Sequence, residues 1–585
     1  MQSFRGKYLW SYKWSLLALI ISSMVATSAS LMAGDLKVQI EHRYDGKRLA
    51  LNSLSYQAGD TFSVTRLSYL LSGFALRAPD GTWTELADQY AFIDLESRRT
   101  SFYLSDVPDG EFSAVRFSIG LPKEVNHSDP ASHAADHALN TNLNLLHWTW
   151  QDGYIFLALE GAYRKKDNEI GGYVYHFAND WNRKQVELPV KLQLKDASAM
   201  GISFDLQSLF HGAQPITFET MGDSTHSKAG DAIAKALKAN MSTAFAIIGV
   251  TDATPPPAKE KLTPLYLPKN PQGFKFKMSG RFPIPALPQD NPLLVSRVAL
   301  GEKLFHDASL SRDGTISCAS CHDSSTAFTD SRVFSKGIDG QVGTRHSMPL
   351  FNLAWKHQFF WDGRASSLRE QVLDPLQDPR EMGETLERVA EKAQASFPDE
   401  FEKAFGKGVV TSEKVALALE AYLLSLTSYD SRFDQAMKGS GELTEEESRG
   451  FELFFTEYEP RSNSYGADCF HCHGGALFTD HSFHNNGLNT SGDYGLEIAT
   501  GKSSDRYKFS TPSLRNIALT APYMHDGRFG TLEQVLSHYN SGVQRTENLD
   551  PNLAKHPQGG LNLPQEDIDA LVAFLKTLSD PKYER

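Results

Sequence analysis

The sequence predicts a multidomain protein with an all-β N-terminal domain, of sandwich or barrel-like form, and a mostly α-helical C-terminal region. From residue 35 to about 194, apolar and polar residues alternate in short runs that are broken by Gly, Asp and Pro. Beyond residue 272, apolar residues recur at helical spacing between long loops. A third observation is that the helical region contains the same set of motifs twice.

The N-terminus and the overall charge limit where the protein works. Basic residues precede an apolar run over 14–26, and small residues continue to Ala29. The run is too short for a comfortable transmembrane helix, so residues 1–29 are predicted to be a cleaved signal peptide. We therefore expect export to the periplasm without a stable membrane span. The net charge of -13 argues against nucleic acid as a partner.

The β domain is predicted over residues 35–250. Its period-two runs are predicted strands of an antiparallel structure, at 36–40, 61–75, 90–95, 112–119, 154–159, 173–177 and 186–194. A helix is predicted at about 230–248. Consecutive prolines at 255–257 then indicate an extended, semi-rigid linker over 251–272.

The helical region is predicted to consist of two homologous halves, residues 273–440 and 441–585. Its main helices are predicted at 386–395, 412–426, 444–455, 532–539 and 565–578. Motifs at 347–354, 360–364 and 368–372 match motifs at 510–518, 524–528 and 532–535 in the same order. Three matches in one order indicate duplication rather than chance.

All the cysteines of the chain lie in two copies of one motif. Cys318 and Cys321 are followed by His322, and Cys469 and Cys472 are followed by His473. On one helical turn this spacing lets two thiolates reach the porphyrin vinyl groups while the imidazole binds the iron, which predicts two covalently attached c-type haems. A redox dithiol or half of a zinc site explains the motif less well. Zinc needs further ligands, and a dithiol has no use for the histidine.

The repeat also distinguishes the two haems. In the second half, the helix after Gln534 offers His538 and Tyr539 as side chains that can bind the sixth position of iron. The same place in the first half holds Pro375, which offers no ligand. The first haem is therefore predicted to have an open iron site, and the second to be six-coordinate and to store electrons.

The helical region resembles the bacterial dihaem cytochrome c peroxidase and MauG superfamily over about residues 280–580. The resemblance lies in residues 359–364, 371–375 with 381–383, and 520–527. It implies a peroxide-reacting haem at the first motif and an electron-transfer haem at the second. It also implies that Trp361 relays electrons between the haems. Three residues are expected to line the open distal pocket, namely Gln371, Pro375 and Glu381.

The resemblance places Tyr539 where ordinary peroxidases have a methionine ligand, which is the MauG-like arrangement. A hard phenolate favours oxidised iron, whereas a thioether favours reduced iron. His538 and Met524 are rival ligands. The family also implies a calcium ion between the halves, bound by carbonyls of Thr520 and Pro522. His346 stands where an asparagine is often found, which counts against that ion.

The front region is similar to the MbnP family of copper-binding proteins, through residues 148–154, 159–161 and 175–176. A MauG-like enzyme that accompanies this family converts a tryptophan of its partner to kynurenine. The resemblance therefore implies that Trp148 or Trp150 is oxidised. Without it, two tryptophans on one face of a strand would be assigned to the core.

Histidines near these tryptophans are candidate copper ligands. His42 and His176 follow apolar residues on predicted strands, and His226 is a weaker third candidate. Either histidine alone is ordinarily a satisfied core residue. Two of them near an oxidisable tryptophan make copper binding and core packing about equally good explanations.

The predicted function is oxidation of a protein tryptophan by hydrogen peroxide, in the chain's own β domain or that of a neighbouring copy. Glu381 is expected to move the proton of bound peroxide from one oxygen to the other, with a pKa raised by partial burial. One alternative is a peroxide scavenger that a small cytochrome or copper protein supplies with electrons. The other is a copper-binding protein whose haems only transfer electrons.

Overall fold

The computed structural model describes residues 33–53, 55–57, 60–148, 153–165, 169–194, 197–252, 266–460, 463–488 and 492–584. The predicted signal peptide, Trp150 and most of the Pro-rich linker lie outside the described residues. Within them, no helix is long and apolar enough to cross a membrane.

The N-terminal region is built from strands, as the alternating sequence predicted. These are β1 (Ala33–Tyr44), β2 (Lys47–Arg48), β3 (Ser55–Gln57), β4 (Asp60–Arg77), β5 (Trp83–Leu86), β6 (Ala91–Asp94), β7 (Ser101–Pro108), β8 (Gly110–Ile119), β9 (His147–Trp148), β10 (Gly153–Arg164), β11 (Ile170–Ala178), β12 (Lys184–Leu194), β13 (Ala197–Asp205), β14 (Ser224–Thr225) and β15 (Phe245–Asp252). Short helices join them, namely α1 (Lys123–Asn126), α2 (Thr141–Asn144), α3 (Leu206–His211), α4 (Phe218–Met221) and α5 (Ala232–Ala244).

The strands form two sheets around a single hydrophobic core. The smaller sheet has the order β15-β13-β1-β2, with β7 also paired to β1. The larger has the order β12-β8-β4-β10-β11-β14, with β3, β5 and β6 along β4 and β9 beside β10. The β1–β13 and β11–β14 pairs are parallel, so the sheets are mixed rather than purely antiparallel.

The helix predicted at 230–248 is too long by several residues. It ends at Ala244, and Phe245–Asp252 forms β15, which pairs with β13. Ile247, Ile248 and Val250 are β-branched and favour a strand, and the free edge of β13 provides the hydrogen bonds. Thr251 and Asp252, assigned to the linker from sequence, belong to this strand.

The C-terminal region is mostly helical. Its helices are α6 (Val295–His306), α7 (Leu368–Gln371), α8 (Asp374–Gln377), α9 (Leu386–Ser396), α10 (Pro398–Phe405), α11 (Ser412–Ser425), α12 (Arg432–Met437), α13 (Glu445–Phe455), α14 (Glu497–Thr500), α15 (Leu532–Ser537), α16 (Pro551–Ala554) and α17 (Gln565–Lys576). Two-residue strands pair as β16 (Tyr458–Glu459) with β17 (Ser464–Tyr465) and β18 (Phe483–His484) with β19 (Phe509–Ser510). The helix predicted at 532–539 stops at Ser537 and continues as a π-helical turn, His538–Gly542.

The duplication is visible in helix packing. In the first half Gly301 of α6 lies against the backbone of Ala418 in α11, where a Cβ atom would overlap the Ala418 carbonyl oxygen. In the second half Gly450 of α13 lies in the same way against Ala570 of α17. Each half therefore brings its first and last long helices together through a glycine that permits close backbone approach.

The outer face of the larger β-domain sheet packs against the second half. Arg545 donates to the carbonyl of Ile170 at 2.9 Å, and Ser224 donates to Glu459 at 2.6 Å. Gly172 of β11 lies against the backbone of Pro551. The sheet is thus buried on both faces where β11 runs, which explains the nearly continuous burial of that strand.

Replacing Gly172 by alanine is expected to destabilise this docking by about 1–3 kcal/mol, because the added Cβ would overlap the Pro551 carbonyl oxygen. Thermal unfolding followed by circular dichroism should show a lower midpoint. The control is Gly249→Ala in β15, where no atom of the described residues lies within 4 Å of the added atom. Equal midpoints for the two variants would contradict the docking described here.

Candidate active site and an interdomain histidine cluster

The two haem-attachment motifs have the same local geometry. Each begins with a 3₁₀ turn, Cys318–Ser320 or Cys469–His471, and all the cysteines are free thiols. His322 Nδ1 lies 3.0 Å from the carbonyl oxygen of Phe328, and His473 Nδ1 lies 3.3 Å from that of Phe478.

When Nδ1 donates to a carbonyl, Nε2 is left as the metal-binding nitrogen, which is the arrangement that a haem iron needs. Burial lowers the pKa of His473 to about 4, so its imidazole is neutral and able to bind a metal. The free thiols and the fixed imidazoles fit the covalent attachment of haem at both motifs.

Glu381 lies in the loop after α8, beside the first motif. Its pKa is raised to about 7, first by burial and then by the charge of Asp378, while Arg364 and Arg380 oppose the rise. The loop is fixed by backbone hydrogen bonds, since Glu381 N donates to the carbonyl of Asp378 at 2.9 Å. A carboxyl group with this pKa can both accept and release a proton near neutral pH.

The other two predicted pocket residues lie on the short helices that precede this loop. Gln371 ends α7 and Pro375 is the second residue of α8, and both are half-buried. The Pro375 carbonyl accepts from Met382 N at 3.2 Å, which ties α8 to the Glu381 loop. Their placement at the distal face of the first haem stays a prediction.

Trp361 lies where the two halves meet. Its indole Nε1 donates to the carbonyl of His346 at 2.8 Å, and its own carbonyl accepts from Ser510 N at 2.9 Å. The amide of His346 in turn donates to the carbonyl of His525 in the second half, at 2.7 Å. This position agrees with the role of a relay between the halves.

Tyr539 lies in the π-helical turn and is half-buried. Its hydroxyl accepts from the Asn486 side chain at 3.1 Å, and the Met524 sulfur lies 3.8 Å from the same amide nitrogen. Burial, together with the charges of Cys472 and Cys469, raises the pKa of Tyr539 to about 12, while the hydrogen bond from Asn486 opposes the rise. The phenol therefore lies on the side of the turn that faces the second haem motif.

The rival ligand His538 is engaged elsewhere. Its Nε2 lies 3.2 Å from the carbonyl oxygen of Asn486, and its ring packs on Phe529. The two adjacent rings have centroids 5.2 Å apart and both contact Asn486, in a π-turn that the helical periodicity of the sequence did not predict. Asn486 was also not predicted, because nothing in its neighbourhood marks it as the partner of a ligand.

The predicted calcium site stays a prediction. Thr520 is buried and its hydroxyl donates to the carbonyl of Ile517 at 3.2 Å. His346 is held by contacts of its Nε2 with the Thr329 hydroxyl at 3.1 Å and of its Nδ1 with the Val333 carbonyl at 3.2 Å. Pro522 follows Thr520 in the same loop between the halves.

Trp148 is buried at the boundary between the β domain and the second half. It is 3% exposed, and its ring centroid lies 5.6 Å from that of His226 and 6.2 Å from that of His176. A cavity of about 100 Å³ is lined by Trp148, His176 and His471 among others. The predicted substrate tryptophan thus lies beside the attachment motif of the second haem.

His42 is not part of this cluster, which corrects the pairing of His42 with His176. In the ladder of the large sheet, Ala158 pairs with Ser68 and His176, whereas Leu157 pairs with Tyr69. Adjacent strand residues point to opposite faces, so His176 faces the second half and Tyr69 faces the core. His42 Nε2 lies 2.9 Å from the Tyr69 hydroxyl, on the core side. His226, the weaker candidate from sequence, is the one that lies close to His176.

The comparisons with known proteins divide the chain in the same way. Residues 295–442 match the family model of di-haem cytochrome c peroxidase, and residues 33–227 match that of MbnP. The methylamine utilization protein MauG of Methylorubrum extorquens is 36% identical over 297 residues, which cover 50% of this chain and 80% of MauG. Cytochrome c551 peroxidase of Nitrosomonas europaea is 33% identical over 311 residues, which cover 52% of this chain and 85% of that protein.

A crystal structure described as a MauG-like protein associated with microbial copper homeostasis is 32% identical, covers 53% of this chain and 99% of that protein, and has a TM-score of 0.48. The C-terminal half is thus a di-haem oxidoreductase of the c type. The chain belongs to the di-haem cytochrome c peroxidase and MauG family, with an MbnP region fused in front.

Replacing Tyr539 by methionine is expected to raise the reduction potential of the second haem, because a thioether favours reduced iron. A spectroelectrochemical titration measures the change. Tyr523→Phe is the control, since this buried tyrosine of the same half donates to the carbonyl of Ile517. A potential that is the same in both variants would show that Tyr539 is not the ligand.

Proposed function

We propose that the protein uses hydrogen peroxide to oxidise Trp148 of its own β domain. The observation that carries this proposal is the place of Trp148, which is buried and lines a cavity together with Phe470 and His471 of the second haem-attachment motif. When bound, the haems supply peroxide activation at the first motif and storage of oxidising equivalents over both.

The side chains provide the proton and electron paths. Glu381 takes the proton of peroxide from the near oxygen and delivers it to the far oxygen, which leaves as water. Trp361 bridges the contact of the halves through its own carbonyl, which accepts from Ser510 N at 2.9 Å. Trp148 then gives up electrons across a short gap, so that no substrate needs to enter the peroxide pocket.

Conversion to kynurenine requires two molecules of peroxide for each tryptophan. Each peroxide takes up two electrons and two protons as its O–O bond breaks, and Trp148 loses four electrons as the bond between C2 and C3 of its indole opens. Two water molecules supply the oxygen atoms that enter the ring, giving N-formylkynurenine, and the four protons they release are those that the two peroxides take up. Hydrolysis by a further water molecule releases formate and leaves kynurenine. Copper binding by the neighbouring histidines His176 and His226 is part of the proposal, supported by the MbnP family match.

The experiment is a titration of the purified full chain, containing both haems, with peroxide and no electron donor. Consumption that stops after two equivalents, with a product spectrum of kynurenine, supports the proposal. Rapid and continuing turnover only when a reduced small cytochrome is added supports a peroxide scavenger. No reaction with peroxide at all would support the remaining alternative, a copper-binding protein whose haems only transfer electrons. We also propose a periplasmic location, supported by the apolar run at 14–26.

A further inference from the structure

We propose that His471 completes a three-histidine copper site with His176 and His226, so that the metal lies on the boundary between the β domain and the second haem motif. This deepens the proposed function, because it makes the copper site a property of the docked halves rather than of the β domain alone. His471 lies between Cys469 and Cys472 in the haem-attachment motif.

The three imidazoles lie together. Their ring centroids are 4.9 Å apart for His176 and His226, 5.4 Å for His176 and His471, and 5.6 Å for His226 and His471. One nitrogen from each lies within 4.8 Å of the others. Metal–nitrogen distances of about 2.0–2.1 Å need the nitrogens within about 3.5 Å of one another, so the rings must rotate toward one another when the metal binds.

Carboxylates contact the Nε2 atoms of all three rings. Glu160 Oε1 lies 3.0 Å from His176 Nε2. Glu457 Oε2 lies 2.8 Å from Nε2 of His226 and 3.1 Å from Nε2 of His471. A carboxylate that accepts from one imidazole nitrogen and leaves the other for a metal is the usual support of a metal-binding histidine.

One ring nitrogen of His176 is buried without a hydrogen-bond partner among the described residues. The residue is 2% exposed, and the nitrogen is its Nδ1. A buried polar atom left without a partner costs free energy, which a bound metal would recover.

Two cations lie beside the three carboxylates of this cluster. Arg66 pairs with Glu160 at 3.1 Å. Lys555 pairs with Glu457 and lies 2.9 Å from Asp468. Glu457 raises the pKa of His471 to about 9 in spite of burial, so a metal that binds this imidazole displaces a proton from it. Three imidazoles suit copper or zinc, and at nitrogen donors copper(II) binds more tightly than zinc.

The repeat shows that haem attachment does not require His471. The equivalent position of the first motif, between Cys318 and Cys321, holds Ser320. The histidine is therefore free to serve another purpose, and His471→Ser copies a residue that the same motif already carries.

The experiment titrates the full chain, with both haems attached and no peroxide present, with copper(II) chloride or zinc sulfate. We expect one copper for each chain, with three imidazoles seen by X-ray absorption. His471→Ser should weaken copper binding by at least about tenfold, the cost of losing even an outer partner of a metal ligand, and should leave two imidazoles. His42→Gln, another buried histidine of the β domain, is the matched control and should bind like the wild type.

Wild-type affinity in His471→Ser, or no copper bound by the wild-type chain, would overturn the proposal. Tighter binding of zinc would overturn the choice of metal. If the His471→Ser variant loses its haems, the number of imidazoles bound to copper in the wild-type chain is the deciding measurement. Three imidazoles support the proposal and two contradict it, because His176 and His226 supply only two. Since no peroxide is used, this result is independent of whether Trp148 is oxidised.

Discussion

Replacing Glu381 by glutamine is expected to slow the reaction with peroxide by about 10²- to 10⁴-fold, the usual contribution of a positioned proton-transfer group. Glutamine keeps the size of the side chain but can no longer accept a proton. Stopped-flow absorption of the haems after mixing with peroxide measures the rate. Glu384→Gln, three residues further on and paired with Lys392, is the control.

The pH dependence of the rate with peroxide is a second test of the role of Glu381. Glu381 must be ionised to accept a proton, so the wild-type rate should rise with pH and level off above about pH 7, the pKa of this carboxyl. The glutamine variant should lack this step. A variant that keeps both the rate and the step would exclude Glu381 from the reaction.

The raised pKa of Glu381 also makes the stability of the folded protein depend on pH. The folded state holds this proton more tightly than the unfolded state between pH 4.5 and about 7, so the free energy of unfolding falls as pH rises through that range. The loss is up to about 3 kcal/mol. The Glu381→Gln variant has no group to ionise here and so does not lose stability as the pH rises. It should therefore be more stable than the wild type above pH 7 but not below pH 4.5.

Replacing Trp148 by phenylalanine is expected to abolish the peroxide-dependent product, because phenylalanine is too hard to oxidise while it preserves much of the buried packing. Peptide mass spectrometry after peroxide addition should find no kynurenine. The haem spectrum should also return to its resting form more slowly, since the nearest electron donor of the β domain is gone.

Trp181 provides the control for this variant. It is 56% exposed, whereas Trp148 is 3% exposed, and both lie in the β domain. Free peroxide would attack the exposed residue first, and only oxidation through the haems selects the buried one. Trp181→Phe should therefore leave the product unchanged. Loss of the product in Trp181→Phe rather than in Trp148→Phe would show that the exposed Trp181 is the substrate, and not Trp148.

Much of this molecule could be predicted from local patterns. The period-two runs predicted the strands of the β domain, and the repeated motifs predicted two similar halves, which the matched glycines Gly301 and Gly450 now show in three dimensions. Prediction failed where tertiary contacts decide. The last turns of the helix at 230–248 became β15 because β13 offered a free edge.

The residues of the candidate site divide in the same way, into those that local patterns predict and those that tertiary contacts decide. The haem-attachment motifs could be predicted from cysteine spacing, whereas the role of Glu381 follows from the resemblance and stays a prediction. His42 was assigned wrongly, because both it and His176 follow apolar residues and only the sheet register separates the core face from the docked face. His471 was overlooked, although the difference from Ser320 was visible in the two motifs. No local pattern predicts which surface will cover a strand.

The most direct test of the central claim is to locate the oxidised residue after peroxide addition over a dilution series of the full chain. The account predicts kynurenine at position 148, formed at a rate that does not depend on protein concentration, because the haems and the tryptophan belong to one chain. An unmodified Trp148, or a rate that falls in proportion to dilution, would contradict it.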